Sequence, residues 1–208
     1  SVVAQDVNIE IICEEGVTPV RVIGRDGTII GQKVTTRVNQ LYSAQQNYVI
    51  LEVRVPASKA QSQRELAAVT VVYNNMSTQK SETKSDLVSV RFSDNSKKVK
   101  DSIDKVAYES AVEQIANVET QRALELRDQG KIAEAKATLE KNASYLGQAA
   151  RLVSSPTLAR QSVESKAESE AVEEDGMWNE SRKSIKAKTY KRSKQQERPI
   201  DSRNRKSQ

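Results

Sequence analysis

The chain is 208 residues long, enough for one domain or two small ones, yet only 37% of it is hydrophobic and 29% is charged, a thin apolar content for that length. It contains no histidine, which removes the commonest general base and the commonest metal ligand, and its one cysteine, Cys13, cannot close an internal disulfide. The net charge of +5 hides an asymmetry: from Arg182 onward eleven Lys/Arg face two acids, a local +9, while the remainder has 22 basic and 26 acidic residues, a net of −4.

Residues 5–93 read as strands. Alternation of Val7, Ile9 and Ile11 leads into Cys13, which sits in an apolar run and reads as a small buried hydrophobe. Pro19-Val20-Arg21-Val22-Ile23 precedes Gly24-Arg25-Asp26-Gly27, a hairpin-turn signal, and then Thr28-Ile29-Ile30. Residues 33–38 follow, then the run 48–55, in which Val49, Leu51, Val53 and Val55 share a face until Pro56 stops it. Residues 66–73 and 83–92 complete six or seven short strands, the pattern of a small antiparallel sandwich.

The period then changes. Ile103, Val106, Ala107, Ala111, Ile115, Val118 and Leu126 predict one long amphipathic helix over 98–128, ended by Asp128-Gln129-Gly130 with the glycine as C-terminal cap. A second stripe, Ile132, Ala135, Leu139, Ala143, Leu146, Ala150 and Val153, predicts an antiparallel helical hairpin. Pro156 is placed as a first-turn proline of a third helix, marginal because Leu158, Val163, Ala167 and Val172 do not align. The fold class is therefore α+β: a β-sandwich over 1–96, the hairpin over 97–155, a weak helix over 156–176 and a basic, flexible tail over 177–208.

No catalytic, cofactor-binding or metal-ligating residue stands out. Gly24-Arg25-Asp26-Gly27 lacks the context and the Lys-Ser/Thr ending of a phosphate loop. Ser93-Asp94-Asn95-Ser96 follows a strand and opens a helix, but Lys97 and Lys98 stand where a divalent ion would sit, so Asp94 or Ser96 reads as a helix N-cap. The acidic groups Glu14/Glu15 and Glu173/Glu174/Asp175 read as solvated turns or helix ends. The tail offers one binding chemistry: Lys186, Lys188, Tyr190, Lys191, Arg192 and Lys194 mix cations with an aromatic, as polyanion-binding segments do. No apolar stretch approaches the ~20 residues of a membrane helix.

The order Val3-Ala4-Gln5-Asp6-Val7, Val22-Ile23-Gly24-Arg25, Leu41-Tyr42-Ser43-Ala44-Gln45-Gln46 and Glu65-Leu66-Ala67, with Asp128-Gln129-Gly130-Lys131 and Trp178-Asn179-Glu180-Ser181-Arg182-Lys183, resembles a bacterial family. It is similar to the region after the von Willebrand factor A domain in proteins labelled calcium-activated chloride channel-like. The resemblance implies an accessory, protein-binding module without catalysis or cofactor, supporting an upstream metal-dependent adhesion domain. The metal site of that family lies in the A domain, and no Asp-x-Ser-x-Ser is present here to carry it. The channel label transfers no activity to a chain without a membrane segment. A cytoplasmic location is expected from similar members. The opening Ser1-Val2-Val3-Ala4, without an initiator Met, reads as the start of a processed product or a fragment. Polyanion binding through the tail is the alternative function, and dimerisation through the helices stays open.

Overall fold

The computed structural model describes residues 1–197 and divides into two compact units, Ser1–Asn95 joined by the segment from Gln195, and Ser96–Lys194. Residues 198–208 of the expected tail lie outside the described residues.

The first unit is built on a five-stranded antiparallel sheet in the order β3 (Gly27–Ile30), β4 (Lys33–Tyr42), β1 (Val2–Cys13), β7 (Gln63–Asn75), β8 (Lys80–Arg91). A second antiparallel pair joins β2 (Thr18–Ile23) to β6 (Ile50–Arg54). Alternation does what it must: Ile9, Ile11 and Cys13 of β1 point to one face, where they meet Val34, Ala67 and Val69. Val22 of β2 and Leu51 and Val53 of β6 enter the same cluster, so the two-stranded pair covers that face of the large sheet. Cys13 is buried there, and burial pushes its thiol above the ordinary range.

Gly24-Arg25-Asp26-Gly27 is not the hairpin turn its composition suggests. It carries the chain from β2 in one sheet to β3 in the other, and a Cβ on Gly27 would lie 2.5 Å from Val22 Cγ2. The true hairpin turn is one step later at Gly31-Gln32, with Gly31 at φ +59. Gln32 then pins the β1–β2 loop by donating its amide to the carbonyls of Glu14 (2.7 Å) and Val17 (2.8 Å). Asp6, at φ 51, marks a bulge in β1, and Asn8 Nδ2, Arg37 and Asn74 all donate to its oxygens.

The unit is completed from far along the chain. Gln195, fully buried at φ 50, donates Nε2 to the Ile23 carbonyl (2.6 Å) and accepts Arg25 Nε at Oε1 (2.6 Å), while its own carbonyl accepts Tyr48 N–H (3.2 Å). Gln196–Glu197 (β9) pairs with Gln46–Asn47 (β5) beside it.

The second unit is helical: α1 Ser96–Asp101, α2 Lys105–Asp128, α3 Ile132–Val153, α4 Pro156–Ala171 and α5 Asp175–Ser193. The single helix expected over 98–128 is divided, because Asp104 adopts extended backbone and its carboxylate caps α2 by accepting Ala107 N–H at 3.0 Å. Neither Asp94 nor Ser96 caps it; Ser93 Oγ instead accepts the Asn95 N–H at 3.1 Å. α2 ends in a Schellman motif, with Gly130 at φ +78, its N–H on Arg127 O and Lys131 N–H on Leu126 O, both at 2.9 Å. α3 returns alongside, so that Val112 and Ala116 meet Leu146 and Ala149, while Ala123 and Leu124 meet Ala135 and Leu139.

Two expectations change. α4 is a full helix capped by Ser155, whose Oγ accepts Leu158 N–H at 3.1 Å. The segment expected as the flexible tail forms α5 up to Ser193, since Trp178 and Ile185 bury themselves against Leu139 and Val172. Leu139→Ala leaves a void at the centre of this cluster and is expected to lower unfolding free energy by about 2–5 kcal/mol, whereas Val163→Ala, 71% exposed, changes it by less than about 0.5 kcal/mol; chemical denaturation distinguishes the two.

Candidate functional site

Helix α5 carries all the tail residues up to Ser193 that composition marks as binders, and its register decides which of them are free. Trp178 anchors its first turn, with Arg127 stacked 5.8 Å from the ring centroid and donating Nε to the Val172 carbonyl at 2.8 Å. Arg127 also pairs with Asp175, an acid in the first turn of α5. One turn on, Arg182 holds Asp128 through two parallel bonds of 2.9 and 2.6 Å, and Lys186 approaches the same carboxylate at 3.9 Å. Lys188 and Arg192 both reach Glu164 of α4, at 3.4 and 3.5 Å.

Three of the six residues singled out as polyanion contacts therefore spend their charge inside the unit: Lys186, Lys188 and Arg192. Tyr190, Lys191 and Lys194 remain outward, with Lys194 Nζ 4.3 Å from the Tyr190 ring centroid. Lys183 shares that exposed stripe about two turns before Tyr190. Sequence counting saw the charges but not their partners, because Asp128 and Glu164 lie 54 and 24 residues away.

The buried face of the helical unit is also unlike its sequence forecast. α2 turns Ser110, Gln114, Asn117 and Thr120 inward, while Val106 is exposed. Gln114 Nε2 donates to Arg192 O (2.9 Å) and Asn117 Nδ2 to Thr189 O (3.1 Å), so amides fasten α5 to α2. Between α3 and α4 the same device recurs: Ser162 Oγ donates to Ala143 O (2.7 Å) and Ser165 Oγ to Leu139 O (3.0 Å). The signal was present as Leu158, Gln161, Ser165, Ser169 and Val172, a perfect helical stripe whose middle is polar.

A second surface lies on the β unit, on the face of the large sheet opposite its core. Register aligns Ile30, Lys33, Ile12, Ala68 and Leu87 in one row across all five strands. Ile30 is 75% exposed, Ile12 46% and Leu87 57%. The next row is polar: Glu10, which reaches back to Lys33 at 2.5 Å, and Thr70, hydrogen-bonded to Ser85 at 3.1 Å. Three large apolar side chains in one exposed row are a surface that association would dehydrate.

Two carboxylates give this geometry a pH signature. Arg182 holds the Asp128 carboxyl below its ordinary value, so the stabilisation is present above about pH 4 and is lost as pH falls through the folded value. Asp128→Asn is expected to lower the melting temperature at pH 7, with the difference closing in strong acid. Burial raises Glu168, with Lys188 and Arg192 opposing and Glu164 reinforcing; its charge therefore costs stability progressively as pH rises from about 4 through the folded value. Glu168→Gln is expected to raise the melting temperature at pH 7 and to leave it unchanged near pH 3.

No protein-family model and no curated protein matches the sequence. Among solved structures the chain is similar to a von Willebrand factor type A protein from Catenulispora acidiphila, at 12% identity and a TM-score of 0.48 over 72% of this chain and 37% of that one. It is similar also to the ArnB paralog VWA2 from Sulfolobus acidocaldarius, at 15% identity and 0.43 over 77% of this chain and 37% of that one. The chain thus spans little more than a third of each neighbour, and at these scores the likeness decides neither fold nor function.

Proposed function

We propose that this chain is a non-catalytic accessory module of a bacterial von Willebrand factor A-type protein, one that makes protein–protein contacts beside a metal-dependent adhesion domain, in the cytoplasm. The observation that carries this reading is the exposed row Ile30, Ile12 and Leu87, which the strand register holds in line on a rigid sheet. Three large apolar side chains, spaced by Lys33 and Ala68 and flanked by Glu10 and the Thr70–Ser85 pair, offer the mixture of apolar contact and polar surroundings found in protein interfaces. The A-type domain is the partner that the resemblance supplies. The polyanion reading is the weaker one, since three of its named contacts, Lys186, Lys188 and Arg192, stand beside Asp128 or Glu164.

Titration calorimetry of this chain against the A-type domain of its own protein tests the assignment. Binding is expected, with the double variant Ile12→Asp/Leu87→Asp weakening it more than about tenfold, or ~1.4 kcal/mol. Lys191→Glu is expected to leave the affinity within about twofold. An absence of binding, or indifference to the sheet variants, overturns the reading. Adding Ca²⁺ or Mg²⁺ to this chain alone is expected to leave its melting temperature unchanged; a rise of several degrees would place metal chemistry in this chain rather than in its partner.

A further inference from the structure

The helical unit holds a small, partly open cavity of about 10 Å³ lined by Thr120 of α2, Asn142 of α3, Gln161, Glu164, Ser165 and Glu168 of α4, and Arg192. Asn142 and Gln161 are 4% and 5% exposed, and Asn142 Oδ1 and Gln161 Oε1 have no hydrogen-bond partner. A buried oxygen left without a donor forfeits the hydrogen bonds that water gives it in the unfolded chain.

Their surroundings cannot supply the missing donors. Thr120 Oγ1 spends its proton on Ala116 O (3.0 Å) and Ser165 Oγ spends its own on Leu139 O (3.0 Å). Both Asn142 Nδ2 protons are used, on Ala116 O (3.0 Å) and Thr120 Oγ1 (3.2 Å). Rotating the Asn142 amide would only set its oxygen against the Ala116 carbonyl. Gln161 Nε2 is committed to Glu113. The lining is thus a set of acceptors, with one guanidinium that already faces Glu164 at 3.5 Å.

We propose that this cavity is a binding site for a single internal water that donates to Asn142 Oδ1 and Gln161 Oε1 and so joins α3 to α4. The volume matches one water and nothing larger. A bare cation would also suit acceptor oxygens, but Lys188 and Arg192 already stand on Glu164 beside the site. A neutral donor satisfies both oxygens without adding a third cation to that pair.

Water-selective NOE spectroscopy on the isotopically labelled full chain tests this. Direct cross-peaks are expected from water to the side-chain amide protons of Asn142 and Gln161, with a residence time longer than that of surface water. Ser165→Val fills the space and is expected to abolish them. Absence of the cross-peaks in the unaltered chain means a dry cavity and overturns the proposal. Thermal melts in sodium, potassium and choline chloride at equal ionic strength form the second arm, which needs no variant. Equal midpoints are expected; a sodium- or potassium-specific rise of several degrees identifies an ion and overturns the proposal as well.

Discussion

Amide and hydroxyl groups on the inner faces of α2, α3 and α4 reach across to the backbone carbonyls of neighbouring helices, and the helical unit depends on that cross-bonding. Gln114, Asn117, Asn142, Ser162 and Ser165 each donate to a carbonyl in another element. Each carbonyl so used already accepts, or sits near the end of, a helical ladder, so the bond adds directional constraint to what apolar contact provides without direction. The apolar clusters around Leu146 and Leu139 hold the helices together, and the amides fix how far each is rotated about its own axis. Such a core tolerates substitution poorly, since removing one partner strands the other.

The thin apolar content of the chain follows from this arrangement. A unit that buries Gln, Asn, Ser and Thr needs fewer Leu and Ile, and it can place lysines and arginines on its last helix provided acids wait opposite. Asp128 at the end of α2 and Glu164 on α4 serve that purpose. The same bonds convert a stretch that looks like a solvated cationic tail into a packed helix that still exposes Lys183, Tyr190, Lys191 and Lys194.

Legibility in the sequence tracked the chemistry of burial. The apolar faces of β1 and α3 are plain in Val7, Ile9, Ile11 and in Ala135, Leu139, Leu146 and Val153, because each element buries hydrocarbon on a regular period. Gly130 announces the end of α2, since few residues other than glycine sit comfortably at that φ. α2 misled because its polar inner face breaks the rule that links apolar periodicity to burial, and α4 misled for the same reason. Asp104 was invisible as a helix start inside an apparently continuous stripe. The outer row of the large sheet is hidden because it exists only in register: Ile12, Ile30 and Leu87 fall in one line through pairings that no local pattern encodes.

Gln195 bonds to Ile23 across 172 residues of chain. The β unit therefore cannot acquire its last polar contacts until the whole helical unit has left the ribosome, and closing so large a loop is entropically slow. Until then Arg25, which burial pulls below its ordinary value, and the Ile23 carbonyl lack the partner they have in the finished fold. Synthesis of residues 96–194 thus precedes the contacts by which Gln195 completes the β unit.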